Sequence, residues 1–118
     1  MLTCVDHIDI RTPDLDGAVD FFARLGFAEV RRTDPERGSV ELALPGPDQV
    51  VLEIRLERDA RRTYVHHVAF RVDDHPAAVE QLTGRGVEFS KNLAFIHHTG
   101  RTISNAHDPG GATWQLTD

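Results

Sequence analysis

The sequence predicts an α+β fold. Two βαβββ modules follow one another, and their eight strands form a curved, cup-like sheet with the helices on the outside. Three observations predict it. First, the chain repeats: Val5-Asp6-His7-Ile8-Asp9-Ile10-Arg11 lies over Val65-His66-His67-Val68-Ala69-Phe70-Arg71 at an offset of 60 residues. Without a gap, the same register sets Asp14 over Asp74, Ala18 over Ala78 and Gly26 over Gly86. Near the ends, Val51-Leu52-Glu53-Ile54 lies over Thr113-Trp114-Gln115-Leu116 at an offset of 62. Self-similarity at a fixed spacing marks a duplicated structural unit. Second, each copy opens and closes on stretches with the period-two alternation of strands. Third, each copy holds one helix-period stretch bounded by a capping aspartate and a glycine.

The elements follow in order. Cys4–Thr12 alternates as a strand, with Val5, His7, Asp9 and Arg11 on one face. Pro13-Asp14-Leu15-Asp16 opens a helix, with Asp14 or Asp16 as cap. Ala18, Phe21, Phe22 and Leu25 form its apolar face, and Gly26 closes it in a left-handed conformation. Phe27–Arg32 reads as a second strand, Asp34–Gly38 as a turn and Ser39–Leu44 as a third strand. After the turn Pro45-Gly46-Pro47-Asp48, Gln49–Leu56 is a fourth strand, with Val51, Glu53 and Arg55 on one face. The charged stretch Glu57–Thr63 links the copies. Tyr64–Val72 restarts the pattern, and Asp73 and Asp74 cap a helix from about His75 to Gly84. Val87 begins the next strand, and Ser90–Gly100 is the least periodic stretch. Arg101–Ala106 and Ala112–Thr117 are strands joined by the tight turn Asp108-Pro109-Gly110-Gly111. The modules span about 1–58 and about 64–118 of one domain.

Composition narrows the function. The chain has 118 residues, 40% hydrophobic and 27% charged, which suits a globular core and not a disordered chain. A formal net charge of −6, with no basic patch, argues against a nucleic-acid partner. No apolar run reaches the roughly 20 residues of a membrane span. The N-terminus lacks a basic stretch followed by an apolar one, so no signal peptide is expected. The lone Cys4 forms no internal disulfide, reads as a small apolar strand residue and fits a reducing cytoplasm.

The repeat register also selects candidate ligands. His7 and His67 occupy equivalent places in the first strands, and Glu53 and Gln115 in the last strands. A pseudo-twofold axis relating the modules would carry all four toward one point. Singly, each has an ordinary explanation as a packing or solvated strand residue. Together, two imidazoles, a carboxylate and an amide oxygen suit a divalent metal such as Zn²⁺, Ni²⁺, Co²⁺, Mn²⁺ or Fe²⁺, with positions open to substrate. Gln115 is the weakest member, because an amide ligates less well than a carboxylate.

Several stretches also carry a family resemblance. They are the opening strand with His7, Thr12-Pro13-Asp14-Leu15 before the Phe21-Phe22 helix, and Leu25-Gly26-Phe27. Leu52-Glu53-Ile54, His67-Val68-Ala69-Phe70 and Asp108-Pro109-Gly110-Gly111 complete them. With these, nearly the whole chain resembles the vicinal oxygen chelate superfamily, the glyoxalase, bleomycin-resistance and extradiol-dioxygenase group. Its nearest likeness there is to glyoxalase I-like members that bind a metal. Gly110 departs from the family's Asp-Pro-Asp-Gly turn. The resemblance implies that His7, Glu53, His67 and Gln115 hold the metal. It also implies a substrate with two neighbouring oxygens and a lyase or isomerase activity that stabilises an enediolate or related oxyanion. Gln115 stands where such enzymes commonly have Glu, leaving one anionic ligand.

Glu53 is then the candidate base for a proton α to the substrate carbonyl. Glu41, Phe95, His98 and Arg101 are candidate substrate-binding residues, Arg101 for a carboxylate. His97 and His107 are further candidates for the pocket rim. His66 is expected on the strand face opposite His67, His75 in solvent at a helix start, and Trp114 toward the helix side. Two other readings stand beside the enzyme. One is a sequestering protein for a small aromatic or antibiotic ligand. The other is an extradiol-type dioxygenase, whose two-histidine, one-carboxylate pattern Gln115 breaks. The expected partners are a small-molecule substrate and a second copy of the chain, in a homodimer.

Overall fold

The computed structural model describes residues 1–118. Its elements run β1 (Leu2–Thr12), α1 (Leu15–Arg24), β2 (Ala28–Arg32), β3 (Ser39–Ala43), β4 (Val51–Leu56), β5 (Tyr64–Val72), α2 (His75–Gly84), β6 (Phe89–Ile96), β7 (Arg101–His107) and β8 (Thr113–Thr117). This is two βαβββ modules in tandem. The chain divides into two compact units, one of His7–His66 and one of Met1–Asp6 with His67–Asp118.

In the first unit the strands lie in the order β2-β3-β4-β1. β1 and β4 run parallel, with His7 opposite Val51, Asp9 opposite Glu53 and Arg11 opposite Arg55. β3 pairs antiparallel with β4 and sets Glu41 opposite Glu53. Period-two alternation then sorts the side chains. Ile10, Val40, Leu42 and Ile54 are buried in a core, with Ile8, Leu15, Ala18, Val19, Phe22, Phe27 and Leu52 packed against it. The helix contact differs from the expected one. Leu15, Ala18, Val19 and Phe22 follow the i, i+3, i+4, i+7 stripe and meet the sheet, while Phe21 and Leu25 fall on its flank and stay exposed.

Local chemistry sets the helix ends. Asp14 accepts a hydrogen bond from Gly17 N–H (3.0 Å). Gly26 has φ +107°, and the N–H groups of Gly26 and Phe27 donate to Ala23 O (3.0 Å) and Phe22 O (3.1 Å). These are the two bonds of a Schellman cap. They hold Phe27 in the cap, so β2 starts at Ala28. The second helix repeats the device: Asp74 caps Ala77 N–H (3.1 Å), and Gly86 and Val87 donate to Thr83 O and Leu82 O (both 3.0 Å). Val87 is likewise held by the cap, so β6 begins at Phe89 rather than at Val87.

In the second unit the order is β5-β8-β7-β6. β5 and β8 are parallel, with His67 opposite Thr113 and Ala69 opposite Gln115. Val72, Ala78, Val79 and Leu116 form its buried core. The irregular sequence around Ser90–Gly100 is mostly strand. Its periodicity is broken by register shifts along β6 and by Leu93 at φ +49°, whose N–H donates to Ser104 Oγ (2.9 Å). Asp6 brings the N-terminal residues into this unit, accepting from Arg71 at 2.7 and 2.9 Å and lying 3.5 Å from Arg101. The Met1 ammonium pairs with Asp73. Cys4, expected as an apolar strand residue, is exposed.

His75 is buried, not solvated as expected. It is the first residue of α2 and turns inward, where Nε2 lies 2.9 Å from Ser104 Oγ. Ser104 gives its proton to Asn92 Oδ1 (3.1 Å), so it accepts from His75 Nε2–H, and His75 Nδ1 is left without a partner. Burial holds the imidazole pKa below its ordinary value, against a weaker opposing pull from Asp118.

Ile54 is fully buried, and Ile54→Val will cost about 1 kcal/mol of unfolding free energy, read from urea midpoints. The folded-state pKa of His75 is depressed, so the unfolded chain binds its proton more readily. The stability from neutral His75 is complete above about pH 6.5 and is lost as pH falls below it. Urea midpoints between pH 7.5 and 5 will fall in the wild type and fall less in His75→Gln.

Candidate metal centre

The residues predicted as ligands lie on the sheet faces turned away from the helices. In the first unit, His7, Asp9 and Arg11 of β1 share a face with Glu53 and Arg55 of β4 and with Glu41 of β3. His7, Asp9, Glu41 and Glu53 are each 1–3% exposed. Since Asp9 is opposite Glu53, His7 stands diagonal to Glu53, within the reach of long side chains on one face. Asp9 and His66 also offer ligand atoms within 4.8 Å of each other.

Buried carboxylates are costly unless paired, and here each has an arginine. Arg31 donates Nε and Nη2 to Glu41 Oε2 (3.1 and 2.6 Å), Arg37 donates Nη2 to Glu53 Oε1 (2.8 Å), and Arg11 donates Nε to Asp9 Oδ1 (2.5 Å). Glu41, Glu53 and Asp9 thus form a row across β3, β4 and β1. Arg55 is set apart. Its pKa is lowered, first by burial and then by the charges of Arg11 and Arg37, which outweigh Asp9 and Glu53. The His66 imidazole is also held below its ordinary pKa, by desolvation and then by Arg11, against Asp9.

The second unit repeats the arrangement with neutral groups. His67 (9% exposed) and Gln115 (5%) are buried, and His67 stands diagonal to Gln115 because Ala69 is opposite it. Gln115 Nε2 donates to Asn105 Oδ1 (2.9 Å) on the neighbouring strand. The amide nitrogen is therefore committed to β7, and the carbonyl oxygen, the end able to ligate, is turned away from it. Each module thus presents one buried imidazole and one oxygen donor on the same face. This donor chemistry fits a divalent cation. The pairing of Glu53 with Arg37 does not oppose it, because a carboxylate carries several lone-pair directions.

The other candidates are more dispersed. Glu41 lies beside Glu53 with its charge met by Arg31. Arg101 lies near Asp6, which competes with any substrate carboxylate. Phe95 is exposed on β6, and His98 packs against His97 in the turn after β6, ring centroids 3.9 Å apart. His107 meets Ser90 Oγ (2.9 Å) and Thr113 Oγ1 (3.3 Å). Trp114 stacks on Phe70 (6.0 Å) on the helix side, and its indole N–H donates to Asp108 Oδ2 (3.0 Å). Sequence reasoning missed Asp9, Arg37 and Arg55 as site residues. Asp9 and Arg55 had a signal, since alternation puts them beside His7 and Glu53. Arg37 had none, being a turn residue 16 positions from its partner.

A profile described as the glyoxalase/bleomycin resistance protein/dioxygenase superfamily matches residues 5–116. The chain belongs to this superfamily. No curated relative matches the sequence. Among solved structures, the chain is similar to methylmalonyl-CoA epimerase from Mycobacterium tuberculosis, with 24% identity, TM-score 0.79, and coverage of 98% of this chain and 87% of that one. It is also similar to a Streptomyces coelicolor methylmalonyl-CoA epimerase variant in complex with 2-nitronate-propionyl-CoA (26%, 0.77, 99% and 97%). A methylmalonyl-CoA epimerase in complex with methylmalonyl-CoA and NH4+ matches at 26% and 0.77, over 99% and 94%. No helix is long and apolar enough to cross a membrane.

The Arg37–Glu53 pair supplies a test of the buried charges. Arg37→Ala removes the 2.8 Å ion-pair partner of the buried Glu53 carboxylate and will lower unfolding free energy by about 3 kcal/mol at pH 7. Denaturant titration of the variant beside the wild type reads the loss.

Proposed function

We propose that this protein is a divalent-metal-dependent isomerase or lyase that moves a proton α to a carbonyl, with His7, Glu53, His67 and Gln115 as the metal ligands. The observation that carries this reading is the repeated donor pair. Both modules bury a histidine diagonal to an oxygen donor, in the same parallel register and on the face away from the helix. Packing alone gives no reason for two modules to keep that polar arrangement. Within the enzyme reading, an epimerase-like reaction is favoured over a glyoxalase I-like one, because the matched structures are of methylmalonyl-CoA epimerases. Inverting a carbon next to a carbonyl requires removal and return of the proton there.

When bound, the metal would polarise the substrate carbonyl and stabilise the oxyanion that develops on it. Glu53 accepts the α-proton on one face, leaving a planar oxyanion whose inversion requires a proton delivered to the opposite face, and Arg37 on Oε1 holds that carboxylate in one orientation. Asn105 fixes the Gln115 amide so that its oxygen is the ligating end. Burial of His7, Glu53 and Gln115 excludes bulk water from these donors, which strengthens their electrostatic action. Glu41, beside Glu53 and paired with Arg31, lines the same face as a substrate-contact residue.

Elemental mass spectrometry of protein purified without a histidine tag or chelators is the first test. About one transition-metal ion per chain is expected, and most of it lost in His67→Ala. Proton exchange at the α-carbon of acyl thioesters in D2O, followed by NMR, is expected to fall at least about a hundredfold in Glu53→Gln. Protein that takes up none of Ni²⁺, Zn²⁺, Co²⁺, Mn²⁺ or Fe²⁺ would sink the proposal and leave ligand sequestration. Oxygen uptake with catechols would replace it with ring cleavage.

A further inference from the structure

We propose that Arg55, with Arg37 beside it, forms an anion site on the polar sheet face of the first module, and that this site takes a ligand carboxylate. Three of the four arginines on that face are committed to carboxylates: Arg11 to Asp9, Arg31 to Glu41 and Arg37 to Glu53. Arg55 is the remainder. Its Nε is buried without a hydrogen-bond partner, and so is Nε of Arg37, whose Nη2 is bound to Glu53.

The strand register shows why Arg55 is left over. Its neighbour on β1 is Arg11, a like charge, and its neighbour on β3 is Ser39, a neutral one. Ser39 is itself bound to Thr33, Oγ to Oγ at 2.8 Å. Like charges directly opposite on adjacent strands are unfavourable, and a half-buried cation without a direct ion-pair partner is a poor element of a resting fold. Glu53 and Arg55 are two residues apart on one face of β4, so the Arg37 head, seated on Glu53, lies over the same strand as Arg55. Two guanidinium groups then each keep a buried, unpaired Nε–H donor over the same strand. A planar carboxylate has two oxygens that accept from such donors, and its charge offsets the repulsion between Arg11 and Arg55.

The site adjoins Glu53 through Arg37 but contains none of the proposed metal ligands, and a variant that removes His67 distinguishes the two ideas. Thermal unfolding is measured with malonate as the carboxylate probe, inorganic phosphate as a second anion, and potassium chloride at matched ionic strength as control. Malonate is expected to stabilise the wild type and His67→Ala alike. Its apparent affinity is expected to fall at least about tenfold in Arg55→Met and less in Arg55→Lys, which keeps the charge and loses the fork. Without any added anion, Arg55→Met is expected to unfold at the same temperature as wild type or higher, because it removes a half-buried cation set opposite Arg11 with no direct ion-pair partner. A purely structural arginine gives the opposite, a lower unfolding temperature. Stabilisation by phosphate but not malonate, stabilisation that survives in Arg55→Met, or stabilisation that vanishes in His67→Ala each overturns the proposal.

Discussion

The parallel ladder between the first and last strands of each module is the constraint on which the rest depends. In the first module it sets His7, Asp9 and Arg11 against Val51, Glu53 and Arg55, and it sets Ile8, Ile10 and Thr12 against Leu52, Ile54 and Leu56. A slip of one residue would send every side chain to the other face. Ile10 and Ile54 would then go to water and Asp9 and Glu53 beneath α1. Burying each large aliphatic side chain contributes about 1.5–3 kcal/mol, so the apolar face holds the register. The polar face follows at no separate cost in specificity. That is how this small fold can hold histidines and carboxylates at fixed relative positions on rigid strands rather than on loops.

Much of this is legible in the sequence because the governing signals are local. The repeat, the alternation and the Asp–Gly bracketing of each helix all lie within a few residues, and the strands and helices form where those signals place them. The errors also have local causes. Four apolar residues at helical spacing do not say which stripe meets the sheet, and the stripe through Leu15, Val19 and Phe22 wins over the flank of Phe21 and Leu25. His75 looked solvated because its polarity is visible in the sequence and its partner Ser104, 29 residues away, is not.

The polar face shows the limit more sharply. A glutamate or arginine in a strand ordinarily reads as solvated, because the cation that allows a carboxylate to be buried lies elsewhere in the chain. Arg31 is 10 residues from Glu41, and Arg37 is 16 from Glu53. Only a pairing register brings them together. The histidines were legible for a different reason, since the repeat compares each module with the other.

That comparison also shows how the modules differ. Position by position in the ladders, Asp9, Glu53 and Glu41 of the first module correspond to Ala69, Gln115 and Asn105 of the second, while His7 corresponds to His67. Three carboxylates have become a methyl group and two amides, and the imidazole has been kept. Carboxylates in the second module would each need a cation, as they do in the first. The amides instead satisfy one another through the Gln115–Asn105 bond. The duplicated unit thus supplies one charged and one neutral oxygen donor from the same backbone position. In the proposed function, a cation held by such a set would keep more of its own charge than one held by two carboxylates, and would be correspondingly better able to polarise a carbonyl.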